Sequence, residues 1–409
     1  MNTMNFKLKK ILKALGPGFI IAAVVLGPGS ITVSSKIGAT HGYSLLWVIL
    51  MGAISMSVYT SMSVRYGVLH EKSLLKMISE KYAKWFSVAI GVCSFLAALS
   101  FQFGNNLGVG MGMQTLTGIN ETVWPLIFTP LAIVLVFYSK NLYKALEQIM
   151  MIMVVVLILA FIINLVFIRP DLKAAAMGFA PGAISGEDFN EIAALVGTTF
   201  VLHNAFFQSY LVQGKGWKLA DMSKSIRDTK IGIFLLALIS TLVIITAAAT
   251  LKPKGISVNS AADMAIQLEM LLGSYAKYIF GFGFIAAAFS SLVVNAVTGG
   301  GLLADGMGMG SSMNEKMPKV FTAVILLAGM VIAVFFRGNV IYALIMAQAS
   351  SILGVPLIAI GLFLVLNNKS IMGKYKNNNL QNLMALAGFV LISILVYFMY
   401  GKLIGYLTV

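Results

Sequence analysis

The stretch LGPGS, residues 26–30, interrupts an apolar segment that is otherwise long enough to cross a lipid bilayer. That segment reads ILKALGPGFIIAAVVLGPGSITVSSKIGA from residue 11 to residue 39. Proline removes a backbone donor and clashes with the preceding helical turn, so Pro28, flanked by Gly27 and Gly29, predicts a helix break at membrane depth. Irregular backbone at that depth is tolerated only where it is buried in protein or lines a cavity. The stretch therefore predicts a site inside the membrane.

The composition is that of a multi-pass membrane protein. Of the 409 residues, 59% are hydrophobic and only 11% are charged, whereas about a quarter of an average soluble protein is charged. A single cysteine excludes an internal disulfide framework. The apolar runs predict an all-α integral membrane protein with eleven transmembrane spans, numbered here from one to eleven. They lie at about residues 14–37, 44–66, 84–114, 123–139, 145–168, 189–212, 229–250, 274–304, 319–336, 340–366 and 384–407.

The net charge of +15 is explained by the membrane rather than by nucleic acid. If the N-terminus is cytoplasmic, 21 of the 29 lysines and arginines fall on the cytoplasmic side of the predicted spans. This is the positive-inside bias of membrane proteins. The sequence therefore predicts a bacterial-type inner (cell) membrane protein with a cytoplasmic N-terminus and an external C-terminus. The lipid bilayer is its expected partner, without nucleic acid or an obligate protein partner.

Span six carries a second group of polar and small residues at membrane depth. It reads IAALVGTTFVLHNAFFQSYLV over residues 192–212, with Gly197, two threonines, His203 and Asn204 near its middle. Two interrupted helices at corresponding positions of two halves are typical of inverted repeats with a site between them. We predict a first five-helix repeat in residues 1–168, a second in residues 187–366 and an additional helix in residues 384–409, all in one membrane domain.

Three stretches resemble the NRAMP family of divalent-metal transporters. LGPGSITVSSKIGATHGYSLLWVIL, residues 26–50, is similar to the family's first span, where D-P-G-N breaks the helix and G-Y-S-L-L-W-V-I-L follows. VGTTFVLHNAFFQSYLVQ, residues 196–213, is similar to the family's A-x-x-M-P-H-N segment. In AQASSILGVPL, residues 347–357, Gln348 matches a family glutamine near the metal. The resemblance implies a leucine-transporter-like fold, with two inverted five-helix repeats, broken helices 1 and 6, and alternating access around a midplane site.

The residues that the resemblance places around the metal have changed in this chain. The family's metal-binding aspartate is Gly27 and its asparagine is Ser30. The soft methionine ligand is Val201, the proline beside it is Leu202, and the position that offers a backbone carbonyl is Thr198. His203 and Asn204 keep the family residues.

The positions that resemble the family's proton route have changed as well. Gln102 and Asn105 stand where the family has D-x-x-E in span three, and Gln208 replaces a second histidine in span six. Amides of similar shape cannot carry a proton or a charge. The fourteen acidic residues all fall in loops or near the ends of the predicted spans. Because an unpaired divalent ion is costly to bury, the sequence predicts no bound metal.

The altered site instead predicts an anion as the substrate. Half-helices expose N–H groups and a partial positive charge at their N-terminal ends, which favours anions. Ser30, Thr198 and Thr199 add hydroxyl donors, His203 adds a ring nitrogen, and Lys36 lies on the outer half of span one. We predict a small oxyanion such as bicarbonate or a short carboxylate. The predicted binding positions are Gly27, Gly29, Ser30, Thr198, Thr199, His203, Asn204 and Gln348, and the predicted pathway or former proton-route positions are Lys36, Gln102, Asn105 and Gln208.

Several alternatives stay open from the sequence alone. A divalent metal cation (Mn, Fe or Mg) carried by a degenerate site is one, and a neutral or zwitterionic solute is another. An enzyme is disfavoured because His41, His70 and His203 lie far apart in the predicted topology and no carboxylate joins His203 at depth. No cofactor is expected. Lys36 is also compatible with snorkelling to the outer interface, and Gln102 and Asn105 with bonds between helices.

Overall fold

The computed structural model describes residues 27–138, 140–182 and 189–407, without the side chains of 140–151 and 402–407, and this part of the chain is almost entirely helical. Its α-helices are α1 (Pro28–His41), α2 (Leu46–Leu69), α3 (Leu74–Lys81), α4 (Lys84–Thr117), α5 (Pro125–Tyr138), α6 (Lys140–Ile168), α7 (Leu172–Met177), α8 (Phe189–Thr199), α9 (Leu202–Gly214), α10 (Met222–Thr250), α11 (Ala261–Ala265), α12 (Glu269–Leu272), α13 (Ala276–Gly306), α14 (Lys316–Phe335), α15 (Val340–Ser350), α16 (Val355–Asn367), α17 (Lys369–Met372) and α18 (Asn379–Leu407). Short 3₁₀ turns lie at Leu219–Asp221, Ile266–Leu268, Gly273–Tyr275 and Gly373–Tyr375.

The long helices fit the predicted membrane spans. Within the described residues, seven helical stretches are long and apolar enough to cross a membrane, and two shorter apolar helices occupy Pro125–Tyr138 and Ile152–Ile168. Span six is broken between α8 and α9, as predicted. Helix α1 begins at Pro28, and residues 1–26, which include the preceding half of the first span, lie outside the described residues. The assignment of repeats to 1–168, 187–366 and 384–409 stays a prediction.

The prediction of one helix for span ten, over residues 340–366, is wrong in one respect. The helix is broken in the middle. Helix α15 ends at Ser350 and α16 begins at Val355, with a turn between them. Pro356 lies in the first turn of α16. In a continuous helix its ring would clash with the carbonyl of residue 352, and that carbonyl would lose a donor. Spans seven and eleven also begin earlier than predicted, at Met222 and Asn379.

Helices α4 and α13 form the largest helix pair of the fold and pack along most of their lengths. Small residues let their backbones approach closely. A β-carbon added at Gly91 of α4 would lie 2.9 Å from the carbonyl oxygen of Leu302, and one added at Gly299 of α13 would lie 2.4 Å from the β-carbon of Ala98. This pair supplies a rigid wall beside the broken helices.

Helix α1 lies at the centre, in contact with α4, α8, α10 and α15. Glycines again set the distances: a β-carbon at Gly108 of α4 would lie 2.3 Å from that of Pro28, and one at Gly38 would lie 2.5 Å from the carbonyl oxygen of Ile244. The spacing of Gly104, Gly108 and Gly112 predicts a close-packing face on span three, and these contacts confirm it. The start of α1 is thereby fixed at mid-depth.

Candidate functional site

Three helix ends meet at one place inside the membrane domain. Gly27, in an extended conformation at φ −86° and ψ 174°, precedes α1, with Pro28 as its first helical residue. Val201, at φ −85° and ψ 82°, separates α8 from α9. Gln348 lies in the last turn of α15, just before the break in span ten. The first N–H groups and the last carbonyl groups of helices lack partners within the helix, so both kinds of polar group are available here.

A small enclosed cavity lies between these helix ends. Its volume of about 10 Å³ is close to the minimum space for one water molecule. The structure brings six of the sequence-predicted positions to its wall, namely Gly27, Gly29, Ser30, Asn105, Asn204 and Gln348. Phe101, Val201, Ser291 and Asn295 complete the lining. As formed by the described residues, the cavity is therefore too small for a hydrated ion or a larger solute.

Glycines at two positions of the cavity wall let neighbouring side chains lie close to the backbone. A β-carbon at Gly29 would lie 2.1 Å from Gln348 Nε2, so the glutamine side chain lies directly against the α1 backbone. A β-carbon at Gly27 would lie 3.0 Å from Ser291 Oγ and 3.3 Å from Asn105 Oδ1. The space that a longer side chain would need at residue 27 is thus bordered by a hydroxyl and an amide.

A cluster of amides borders the other side of the cavity. Asn204 Nδ2 donates to Asn295 Oδ1 at 3.3 Å, and His203 Nε2 lies 3.4 Å from the same oxygen. The His203 ring also packs against Phe101 at a centroid distance of 5.6 Å. His203 is buried and faces this cluster, and it is not among the residues that line the cavity. Its ring nitrogen Nε2 therefore faces Asn295 rather than the enclosed space.

Two of the predicted hydroxyl donors are used within their own helix. Thr198 Oγ1 and Thr199 Oγ1 both donate to the carbonyl oxygen of Leu195, at 2.9 and 2.8 Å. Such bonds from threonine to the preceding turn are common in helices. Neither threonine lines the cavity, and Thr199 Oγ1 lies against Gly52 of α2 instead. In this conformation the two hydroxyl protons are not available to a substrate.

The predicted pathway positions separate from one another. Asn105 lines the cavity, whereas the side chain of Gln102 lies against Gly329 of α14. Gln208 Nε2 lies 3.5 Å from Thr229 Oγ1 of α10. Lys36 is half-buried on α1, beyond the cavity wall. The structure therefore assigns only Asn105 of these four to the cavity.

Ser291 and Asn295 are cavity residues that the sequence interpretation missed. Both lie on α13, one helical turn apart, and both are buried at 1% and 3% exposure. The signal was present, because residues four apart share one face of a helix, and polar side chains on one face of a membrane helix point to the protein interior. The sequence interpretation drew its site residues from spans one, three, six and ten only, and therefore missed this face of span eight.

The cavity is polar but carries no formal negative charge among the described residues. No aspartate or glutamate lines it, and no group of three or more His, Cys, Asp or Glu side chains lies together in the described part of the chain. Three buried amide atoms of lining residues have no hydrogen-bond partner among the described residues: the acceptors Asn204 Oδ1 and Gln348 Oε1, and the donor Asn105 Nδ2. An unsatisfied buried amide costs about 1–3 kcal/mol. The cavity wall can therefore form hydrogen bonds with a polar ligand.

The predicted outer side of the site is covered by the segment between α10 and α13. Gln267, fully buried in this segment, donates from Nε2 to Ser35 Oγ of α1 at 2.8 Å. Asn164 Nδ2 of α6 donates to the backbone carbonyl of Gln267 at 2.6 Å. These bonds hold the segment against the outer half of α1, so the cavity is closed on this side.

Replacing Gln267 by alanine should loosen this cover. Thr32, fully buried between Ser35 and the cavity, reports on it as Thr32→Cys in a Cys93→Ser background. We expect a water-soluble thiol reagent to modify it about fivefold faster after Gln267→Ala, since one hydrogen bond contributes about 1 kcal/mol. Gln381→Ala, a change at the remote start of α18, should leave the rate unchanged. Equal rates in all three proteins would contradict the proposed cover.

The predicted inner side is closed by polar bonds around α3 and α9. Tyr210 donates to Asp305 Oδ2 at 2.5 Å, which fixes α9 to the end of α13. Gln213 Nε2 donates to the carbonyl oxygen of His70 at 2.7 Å. At the surface, Lys218 donates to Glu71 Oε1 at 2.7 Å and lowers the pKa of that exposed carboxyl. Within the described residues, these bonds hold α9 to α13 and to the turn after α2 on the predicted inner side of the cavity.

Comparison with known proteins assigns nearly the whole chain to one protein family. Residues 18–401 match the family model described as "Natural resistance-associated macrophage protein-like" (Nramp). A divalent metal cation transporter MntH from Caldanaerobacter subterraneus is 27% identical over 399 residues, covering 95% of this chain and 93% of the relative. The Bacillus subtilis MntH is 26% identical over 374 residues, covering 90% and 87%.

Solved structures share the arrangement of helices. The Eremococcus coleocola manganese transporter matches with a TM-score of 0.78 at 16% identity, over 95% of this chain and 86% of that one. Mhp1, a nucleobase-cation-symport-1 family transporter, matches with a TM-score of 0.60 at 14% identity, over 94% and 92%. MhsT in complex with L-phenylalanine gives 0.59 at 14% identity, over 94% and 97%. The predicted leucine-transporter-like fold is confirmed.

Proposed function

The chain belongs to the Nramp family of membrane transporters, and from that premise we propose that it carries a divalent metal cation across the bilayer by alternating access. One observation carries the choice of substrate class: two amide oxygens without a partner among the described residues, Asn204 Oδ1 and Gln348 Oε1, belong to residues that line the cavity. Oxygen ligands suit hard divalent cations. The names of the relatives, divalent metal cation transporters, support the same class.

The absence of a carboxylate from the described cavity wall defines how such an ion would be held. Stripping a doubly charged ion of water without a negative partner is severely unfavourable. Mg²⁺ dehydrates reluctantly and keeps several waters in most protein sites. We therefore propose that the cation enters with most of its water shell, which the neutral amides of Asn204, Gln348 and Asn105 contact. Binding should be weak, in the millimolar range, because no formal charge offsets that of the ion.

The oxyanion predicted from sequence is retained as a second candidate because α1 and α9 both begin at the cavity. Their N-terminal ends favour negative charge. Two structural findings weaken the case for an oxyanion relative to the sequence interpretation. The hydroxyls of Thr198 and Thr199 are used inside α8, and His203 faces Asn295 rather than the cavity. The names of the relatives lend the oxyanion no support.

Uptake by purified protein in liposomes tests the proposal directly. We expect Mn²⁺ or Mg²⁺ uptake that saturates in the millimolar range and exceeds that of protein-free liposomes. Asn204→Ala should reduce uptake about tenfold through loss of one ligand oxygen. Asn367→Ala is the matched control, because its amide bonds only the Phe363 carbonyl of its own helix. Bicarbonate uptake without metal uptake would favour the second candidate, and no uptake of either ion would refute both.

A further inference from the structure

An apolar groove runs along the membrane-facing surface between α2, α10 and α18, away from the transport cavity. Its walls include Ile54 of α2, Phe234 and Ala237 of α10, and Leu380 of α18. Leu380 is 65% exposed and Phe234 is 64% exposed in the described chain. These three helices are membrane spans, so the groove opens to the bilayer. A molecule that binds in this groove must therefore be apolar where it lies at membrane depth.

The length of the groove matches one leaflet. On α2 the lining runs from Ile49 to Ser61, which corresponds to about 18 Å at a rise of about 1.5 Å per residue. Half of the hydrocarbon core of a bilayer is roughly 15 Å thick. In the predicted topology this stretch is centred on the bilayer midplane, and Phe179 of the predicted external loop also lines the groove. A single acyl chain that enters from the predicted cytoplasmic end would therefore lie along α2 and reach past the midplane.

The end of the groove on the predicted cytoplasmic side is polar and positively charged. Lys230 of α10, together with Asn378 and Gln381 at the start of α18, lines this end. A second, adjoining recess shares Lys230 and Phe234 and adds Arg227. Neither Arg227 nor Lys230 forms an ion pair with a described residue, and Asp228 lines neither recess. Two positively charged side chains beside an apolar groove complement a lipid that carries a negative headgroup.

We propose that this groove binds one anionic phospholipid of the cytoplasmic leaflet, with an acyl chain between α2, α10 and α18 and its phosphate between Arg227 and Lys230. Basic residues at the membrane surface attract anionic lipids by about 1 kcal/mol each, which corresponds to about fivefold in affinity. The bound lipid would connect α10 and α18 to α2.

Native mass spectrometry of protein extracted from bilayers of phosphatidylcholine with added phosphatidylglycerol tests the proposal. We expect one retained phosphatidylglycerol per chain, in preference to phosphatidylcholine. The double variant Arg227→Gln/Lys230→Gln should lower its affinity about 25-fold if the two contributions add, measured as the phosphatidylglycerol fraction needed for half occupancy. Lys224→Gln is the matched control, because Lys224 lies on the same helix over the Trp217 ring and lines neither recess. An equal loss in the control, or no loss in the double variant, would overturn the phosphate assignment.

A second variant tests the binding of the acyl chain in the apolar groove independently of charge. Ala237→Phe adds a ring inside the groove and should exclude the lipid, whereas Val324→Phe, on the exposed face of α14, should not. Circular dichroism checks that both variants fold. Unchanged lipid retention in folded Ala237→Phe would overturn the proposal. So would the finding that the wild-type chain forms a dimer and that this variant dissociates it, because the groove would then bind a second copy of the chain. Excess inorganic phosphate should not displace the lipid, because the acyl chain supplies part of the binding.

Discussion

Gly27→Asp is expected to raise the affinity of the protein for Mn²⁺ by about a hundredfold or more. The new carboxylate would lie at the edge of the cavity, beside Ser291 and Asn105. At an effective dielectric constant of about 20, two unit charges about 4 Å apart interact by roughly 4 kcal/mol, and a divalent ion doubles this attraction. Part of the gain is lost to desolvation of the buried acid. The remaining gain should still dominate a site built from neutral amides.

The same substitution separates the two candidate substrates. If the wild-type cavity holds an oxyanion, a carboxylate at residue 27 must repel it, with a loss of affinity on the order of a thousandfold. A buried acid is charged to a greater extent as the pH rises. Both effects should therefore grow with pH, in opposite directions for the two substrates. Isothermal titration with Mn²⁺ and liposome uptake of Mn²⁺ and bicarbonate measure them on the same preparations.

The controls separate charge from size. A β-carbon at Gly27 would lie 3.0 Å from Ser291 Oγ, so any side chain there requires a small displacement of the serine. Gly27→Asn has the same shape as the aspartate variant without its charge and should leave Mn²⁺ affinity within a few-fold of wild type. Adding Ser291→Gly makes room and should preserve the gain of Gly27→Asp. If folded Gly27→Asp binds and transports both ions as wild type does, the cavity is not the substrate site.

Most of the spans in the described part of the chain were predictable from the sequence because they depend on local signals. Apolar runs of about 20 residues identify membrane helices, and Gly-Pro-Gly identifies a break, without knowledge of the partners. The break in span ten had a signal of the same kind in Gly354 and Pro356. It was missed because the apolar run continued on both sides of these residues.

The directions of individual side chains were not predictable in the same way. Gln102 and Asn105 lie three residues apart on α4, yet Gln102 faces Gly329 and Asn105 faces the cavity, since the two positions differ by about 60° around the helix. Thr198 and Thr199 were assigned to a substrate because they are polar at mid-depth, but local bonds to Leu195 satisfy them. Only the packing of α4, α8 and α13 decides which polar groups reach the cavity.

Gly197→Ala should impair both stability and transport, because residue 197 is where the broken helices of spans six and ten touch. An added β-carbon would lie 2.3 Å from the backbone carbonyl oxygen of Gln348 and 3.2 Å from Ser351 Oγ. Ordinary contact begins near 3.4 Å, so α8 and α15 would have to separate by about 1 Å. The obstacle is backbone, and Gln348 O also accepts the Ser351 hydroxyl at 2.6 Å, so no flexible side chain can move aside.

The magnitude follows from two opposing terms. Alanine is favoured over glycine inside a helix by about 1 kcal/mol. Overpacking of a close contact costs typically about 1–3 kcal/mol, and here it involves two backbones, which places it near the upper end of that range. We expect a net loss of about 1–2 kcal/mol, seen as a melting temperature lower by a few degrees in detergent. Transport should fall further, by tenfold or more, because the displacement moves Gln348 away from Gly29 and changes the cavity wall.

Gly214→Ala is the matched control for this prediction. Gly214 ends α9, its backbone has no positive φ, and a β-carbon there meets nothing within 4 Å. The substitution therefore provides the helical preference of alanine without the collision. Thermal unfolding and liposome uptake of the two variants, measured side by side, isolate the contact between the two helix breaks. If Gly197→Ala melts and transports as Gly214→Ala does, spans six and ten are not held together at Gln348, and the cavity does not depend on the break in span ten.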